Sequence, residues 1–135
     1  MKYLIYVILI MSLAYIATIT ATFIVLDSIY FTVNNTFLKK TIQSVQKSSI
    51  KINYIGVFLT YVFMVAMEYC FIIMQNRTVI DAFLLGIGIY GIYELTNFAT
   101  LVNWPFSMVI MDTIWGGILF ASATCVIRYV LKLKM

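Results

Sequence analysis

Four apolar stretches of nearly equal length govern what this chain can become. Tyr3–Leu26 is 24 residues without a charge. Ile52–Met74, Val79–Leu101 and Phe106–Ile127 follow at 23, 23 and 22 residues, interrupted only by acidic side chains. About 20 residues rising 1.5 Å each cross the ~30 Å hydrocarbon layer, so each stretch is long enough to span with some tilt. Composition agrees. Of 135 residues, 64% are hydrophobic and 10% charged, and mean hydropathy is +1.03. A soluble domain carries roughly a quarter of its residues as charges, and this chain cannot cover a solvated surface. A water-soluble globule, a disordered tail and a secreted disulfide scaffold are excluded.

Backbone groups in lipid must satisfy one another, and uninterrupted runs of this length point to helices rather than alternating barrel strands. The expected architecture is all-α: an antiparallel bundle of four transmembrane helices forming one membrane domain over 1–135. The helices are expected at about 3–33, 52–74, 79–101 and 106–131. A signal peptide is the rival for the first stretch, since Lys2 precedes it, but its apolar region is too long. Short turns around Gln75-Asn76-Arg77 and Asn103-Trp104-Pro105 join the last three helices, and Pro105 suits the start of the fourth. Between helices one and two, Asn34–Lys51 is polar and carries Lys39, Lys40, Lys47 and Lys51. Leu38, Ile42 and Val45 form a narrow apolar stripe there, which suits a short amphipathic helix on the membrane surface or a solvated loop. Lys2, Arg77, Arg128, Lys132 and Lys134 occupy the face with the termini. Five basic residues against four tilt the positive-inside rule toward cytoplasmic termini by a single residue.

Residue counts bound the chemistry. There is no histidine, which removes imidazole catalysis and the common zinc sites. Cys70 and Cys125 cannot build a metal centre alone and read as apolar filler rather than a disulfide. No metal or other cofactor is expected. The nine basic residues are too scattered to track nucleic acid, and no nucleophile–base pair marks an enzyme. Gly86-Ile87-Gly88-Ile89-Tyr90-Gly91 matches a dinucleotide-binding fingerprint, but inside a span it has no strand–turn–helix setting. Ala82/Gly86 and Gly117/Ala121 are small residues four apart, suited to close helix contact and to a homo- or hetero-oligomer face.

All five acidic residues lie in or at the edge of apolar stretches, where a charge costs at least ~2.5–3.5 kcal/mol and marks a functional suspect. Counted from the lysine-bearing face, Asp27 and Asp112 lie six residues in and Glu94 seven, which places all three roughly 9–10 Å deep. Tyr30 shares a helix face with Asp27, and Trp115 shares one with Asp112. Thr96 and Asn97 lie slightly nearer the surface. Three ionised carboxylates cannot share a low-dielectric pocket, so at least one is expected neutral or balanced by a cation. The set reads as a site for a proton, a cation or a small amphiphile, or as an interhelical hydrogen-bond cluster that fixes packing. Glu68 sits toward the other face at the level of Arg128, and a buried ion pair between them is expected. Asp81 falls in the first turn of its helix, where a carboxylate suits the N-terminus.

The segment IYELTNFATLVNWPFSMVIMDTIWGG (Ile92–Gly117) resembles the pattern Y-[DE]-L-T-N-x-A-T-L…W-P…D-x-x-W-G of the predicted membrane proteins grouped as domain of unknown function 2177. LDSIYF (Leu26–Phe31) resembles that family's first-helix D-x-x-W, with Tyr30 in place of Trp. The matching positions are Asp27, Tyr30, Tyr93, Glu94, Leu95, Thr96, Asn97, Trp104, Pro105, Asp112, Trp115 and Gly116. The resemblance implies four membrane helices and no particular activity. Two functions compete: a small membrane protein binding a proton, cation or amphiphile at the carboxylate level, and a non-catalytic accessory subunit of a larger membrane assembly, a viral internal membrane included. Trp104, Pro105 and Gly116 are expected to serve structure, with Glu68 and Arg128.

Overall fold

The structure is a computed structural model that describes the backbone of residues 2–130 and the side chains of residues 11–129. Five helices follow in order. α1 spans Lys2–Val33, α2 Asn35–Gln46, α3 Tyr54–Glu68, α4 Val79–Thr100 and α5 Phe106–Cys125. Two of them end in a turn of π-helix, Tyr69–Ile73 after α3 and Val126–Val130 after α5. No strand occurs among the described residues. α1, α3, α4 and α5 contain the four spans that are long and apolar enough to cross a membrane, the first counted from Met11 to Val33.

The helix ends follow local chemistry. Asn53 caps α3, its Oδ1 accepting the Ile55 and Gly56 N–H groups at 3.1 Å each, so α3 begins two residues after the apolar run does. Thr78 and Asp81 form a reciprocal capping box at the start of α4, and this places the Asp81 carboxylate on the helix N-terminus. The turn before it uses Asn76 at φ 51°, and the α4–α5 turn uses Asn103 at φ 66°. Asparagine tolerates this left-handed region better than most residues. Pro105 precedes the first residue of α5 and supplies its carbonyl to the Met108 N–H at 3.0 Å.

Between the two readings of the lysine-rich stretch, the helix is the one that forms. Thr41 is buried, and Leu38, Ile42 and Val45 are half-buried along the inward face of α2, while all four lysines stay exposed. α2 packs on α1, and Asn103 Nδ2 donates to the Ser44 carbonyl at 3.5 Å, which ties α2 to the α4–α5 turn.

α4 and α5 make the tightest pair in the chain. A Cβ added at Gly86 would lie 2.1 Å from the Gly116 carbonyl oxygen, so the two backbones touch there. A Cβ on Gly116 would enter the Tyr90 ring at 2.4 Å, and one on Gly117 would meet Phe83 at 2.7 Å. The G-x-G-x-x-G run is therefore a packing surface, and Gly88 within it faces open space. This corrects one expectation. Ala82, Gly86 and Gly117 are buried inside the chain, so the small-residue faces close on each other across α4 and α5 and are not outer surfaces for another copy. Without a hydrophobic drive between helices in lipid, such close backbone approach is what holds a pair together.

α1 lies against α5 and α3, and the core runs through Ile19, Phe23, Leu119 and Phe120, all at 0% exposure. Phe23 and Phe120 pack ring to ring at 5.0 Å. Along its first turns α3 is exposed, and an apolar groove of about 800 Å³ separates it from α1, lined in part by Ile24, Phe58 and Tyr61.

Candidate functional site

The expected carboxylate level forms, and it does so as a continuous chain of contacts. Asp27, on α1, is 4% exposed and accepts a hydrogen bond on each oxygen: Trp115 Nε1 donates to Oδ1 and Tyr61 O–H to Oδ2, both at 2.9 Å. One turn further along α1, Tyr30 donates its O–H to Asp112 Oδ1 on α5. The Tyr30 ring stacks on Trp115 with centroids 4.5 Å apart and planes 11° from parallel. That stack joins the two halves, because Trp115 holds Asp27 while Tyr30 holds Asp112. On α4, Glu94 is fully buried, and Trp104 Nε1 donates to its Oε2 at 2.8 Å. The carboxyl groups of Glu94 and Asp112 are neighbours that interact with each other. Two carboxyls can hydrogen-bond to one another only when one carries a proton, since the ionised form has acceptors alone. Glu94 Oε1 has no hydrogen-bond partner.

The periodicity of the helices explains the arrangement. Asp27 and Tyr30 are three apart, as are Asp112 and Trp115, so each helix shows one acid and one aromatic on one face. Antiparallel α1 and α5 then exchange donors crosswise. The four donors, Tyr30, Tyr61, Trp104 and Trp115, are all neutral. No salt-bridge partner reaches these acids among the described residues, and no group of three His, Cys, Asp or Glu side chains there is placed to hold a metal ion.

Of the residues singled out from sequence, Asp27, Tyr30, Glu94, Asp112 and Trp115 meet. Asn97 lies one turn from Glu94 with its Nδ2 buried and unpartnered. Thr96 does not join them. It is exposed, and its hydroxyl donates back to the Ile92 carbonyl at 2.7 Å, because one residue's step rotates it about 100° away from Asn97. Trp104 is more than a structural residue, being the donor that holds Glu94. Gly116 keeps its structural part, beneath Tyr90.

Sequence reasoning missed Tyr61. The signal was available: it lies seven residues from Glu68, hence on nearly the same face of α3, at the depth of Asp27. Thr113 is a second omission, with a buried hydroxyl oxygen that lacks a partner.

The expected Glu68–Arg128 ion pair is not made. Glu68 is fully buried and accepts from the Thr124 hydroxyl, leaving Oε2 unpartnered. Arg128 instead donates from Nη2 to Asn76 Oδ1 at 3.0 Å and to the Arg77 carbonyl, leaving Nε unpartnered. Equal depth was the ground for expecting the pair. But the π-turn Val126–Val130 changes the register after Thr124, and the long side chain reaches the turn carbonyls at the membrane edge. Cys70 and Cys125 are both free thiols.

Comparison with known proteins fits this geometry. The family model described as a predicted membrane protein (DUF2177) matches residues 11–129. The chain belongs to that family. DUF2177 membership covers all four spans and every residue of the carboxyl level. No curated protein and no solved structure matches the chain.

Proposed function

We propose that this DUF2177 protein is a non-catalytic multi-pass membrane protein whose carboxyl level at Asp27, Glu94 and Asp112 binds and releases a proton. One observation carries the reading: Glu94, fully buried with Oε1 unpartnered, is a neighbour of the half-buried Asp112 carboxyl, and neither has a basic partner. Such a pair holds one proton between two acids, and acids inside a membrane rarely persist without a task. Beside this pair, Asp27 accepts a hydrogen bond on each oxygen. The donor set suits a proton better than a metal ion, because aromatic N–H and O–H groups already occupy the oxygens a metal would need. Asn97 Nδ2, buried and free, supplies a further polar contact for whatever approaches from the lysine-bearing face. The whole chain acts as one membrane domain, with its termini on the cytoplasmic side.

Infrared difference spectroscopy of the purified protein in lipid tests this. A protonated-carboxyl C=O band that shifts in heavy water is expected, and it should vanish in both Asp112→Asn and Glu94→Gln. A wild-type spectrum without that band refutes the proton site and favours an accessory subunit held by dry interhelical hydrogen bonds.

A further inference from the structure

Beyond the carboxyl level, one acid remains unexplained, and its setting is specific. Glu68 is 0% exposed, has a single hydrogen-bond partner in Thr124, and keeps Oε2 free. It lies in the half of the bundle nearer the termini, six residues before Met74, roughly 9 Å from that face. Seven residues separate it from Tyr61, the α3 residue that marks the level of Asp27, so the two acid levels stand roughly 10 Å apart. The bundle thus holds one acid level near each face, at similar depths. Between them sits an apolar plug of Ile19, Phe23, Leu119 and Phe120, all fully buried.

The backbone changes type beside Glu68. The π-turn Tyr69–Ile73 begins at the next residue, and the π-turn Val126–Val130 begins two residues after Thr124. π-turns are rare single-turn insertions concentrated at functional sites, and they loosen the regular i→i−4 ladder. Both helices that carry the Glu68–Thr124 bond have one at the same level. Thr124 is the group that meets this acid; Arg128 is held by Asn76 and the Arg77 carbonyl, and Tyr69, the next residue in sequence, donates instead to Ser12 at 2.9 Å. No charged group of the described residues is paired with Glu68.

We infer that Glu68 is the second station of a transmembrane proton path, receiving protons from the Asp27/Glu94/Asp112 level and releasing them at the face bearing the termini. This rests on the proton-binding reading of the upper level. In one passage, the proton shared by Glu94 and Asp112 moves to Glu68 Oε2 and forms an O–H bond there as a proton from the lysine-bearing side enters the upper pair, so the level never carries three carboxylates. Glu68 then returns to carboxylate as its proton enters water at the terminal face. Charge and atoms balance, and no other reactant is required. The Phe23–Phe120 contact must part for the middle step, and the two π-turns supply the local give in α3 and α5.

The full-length protein, reconstituted in phosphatidylcholine–phosphatidylglycerol vesicles containing a pH-sensitive dye, tests the path. Valinomycin with equal potassium on both sides holds the potential at zero. Wild type should dissipate an imposed pH step faster than empty vesicles, and Glu68→Gln should lower the protein-dependent rate about tenfold or more. Glu68→Asp should keep part of it. The Asp112-dependent infrared band should survive in Glu68→Gln, which also certifies that the variant is folded. Should Glu68→Gln not fold, Thr124→Val withdraws the one hydroxyl on Glu68 and should lower the rate. Wild-type flux equal to empty vesicles overturns the path. So does undiminished flux in Glu68→Gln, or in Thr124→Val where that variant stands in. If the band is present while flux is absent, the binding site stands without the path. If the band is also absent, both readings fall.

Discussion

Replacing Asp112 in two ways separates hydrogen-bonding from charge. In Asp112→Asn, the amide oxygen still accepts the Tyr30 hydroxyl, and the amide N–H can donate to Glu94 Oε1, which has no such donor in the native protein. The shared proton is then unnecessary, and neither the Tyr30 hydroxyl nor Glu94 Oε1 is left without a partner. The expected change is within about 1 kcal/mol, the scale of one exchanged hydrogen bond. In Asp112→Leu, similar in size, the Tyr30 O–H is stranded in an apolar interior. A stranded buried group costs about 1–3 kcal/mol, and the loss should be of that size. Chemical unfolding followed by tryptophan fluorescence reads this directly, because Trp115 and Trp104 both sit on the carboxyl level. If Leu proves no more harmful than Asn, the acids are not joined through Asp112, and the chain of contacts described above is wrong.

Four further outcomes follow from particular contacts. Gly86→Ala should disrupt the α4–α5 seam and reduce yield of folded protein in detergent, since its Cβ would lie 2.1 Å from a carbonyl oxygen, whereas Gly88→Ala, with nothing within 4 Å, should behave as wild type by gel filtration. Tyr61→Phe removes one of the two donors on Asp27 and should cost about 0.6–1.5 kcal/mol in the same unfolding assay, less than Asp27→Leu, which strands both. Trp104→Phe should retain the fold while shifting the protonated-carboxyl infrared band, because Glu94 Oε2 loses its donor. In a Cys70→Ser, Cys125→Ser background, cysteines at Lys40 and Arg77 should react with an impermeant maleimide from opposite sides of intact vesicles, and labelling from one side would end the four-span arrangement.

Most of the fold was legible because its signals are long and collective. Four runs of 22–24 apolar residues leave little freedom in a bilayer, and two of their starts carry residues whose local chemistry is unambiguous, Asp81 and Pro105. The meeting of Asp27, Glu94 and Asp112 was legible for a simpler reason. Depth along a helix can be counted, and helical spacing fixes which neighbours share a face. What depth cannot give is rotation. Thr96 and Asn97 are adjacent in sequence and fall on different sides of α4, and Arg128 stands at the level of Glu68 without meeting it. Rotation of one helix against another is set by packing, here by Gly86 and Gly116, whose meaning appears only once both helices are in place. The π-turns were invisible as well. A one-residue insertion into a uniformly apolar run changes no period that the sequence displays.

The arrangement has a mechanical side that follows from how unevenly the helices are attached. α4 and α5 are locked backbone to backbone and have no reason to move apart. α3 is different. Its packing partner is α1, its first turns are exposed, and besides the core residues Met64 and Val65 it is held by a few polar contacts. Tyr61 holds Asp27, Glu68 takes the Thr124 hydroxyl, Tyr69 donates to Ser12 at 2.9 Å, and Met64 Sδ receives the Tyr90 hydroxyl at 3.9 Å. Two of those four contacts end on a carboxyl group. A hydrogen bond to a carboxylate is roughly twice as strong as one between neutral groups, so the charge state of Asp27 and Glu68 sets how firmly α3 is held. A change of protonation at either acid is therefore also a change in the attachment of one helix. The apolar groove between α1 and α3 lies where that attachment is weakest, with Tyr61 on its wall. On the proton-binding reading, a proton taken up at Asp27 or Glu68 would loosen α3 beside this groove.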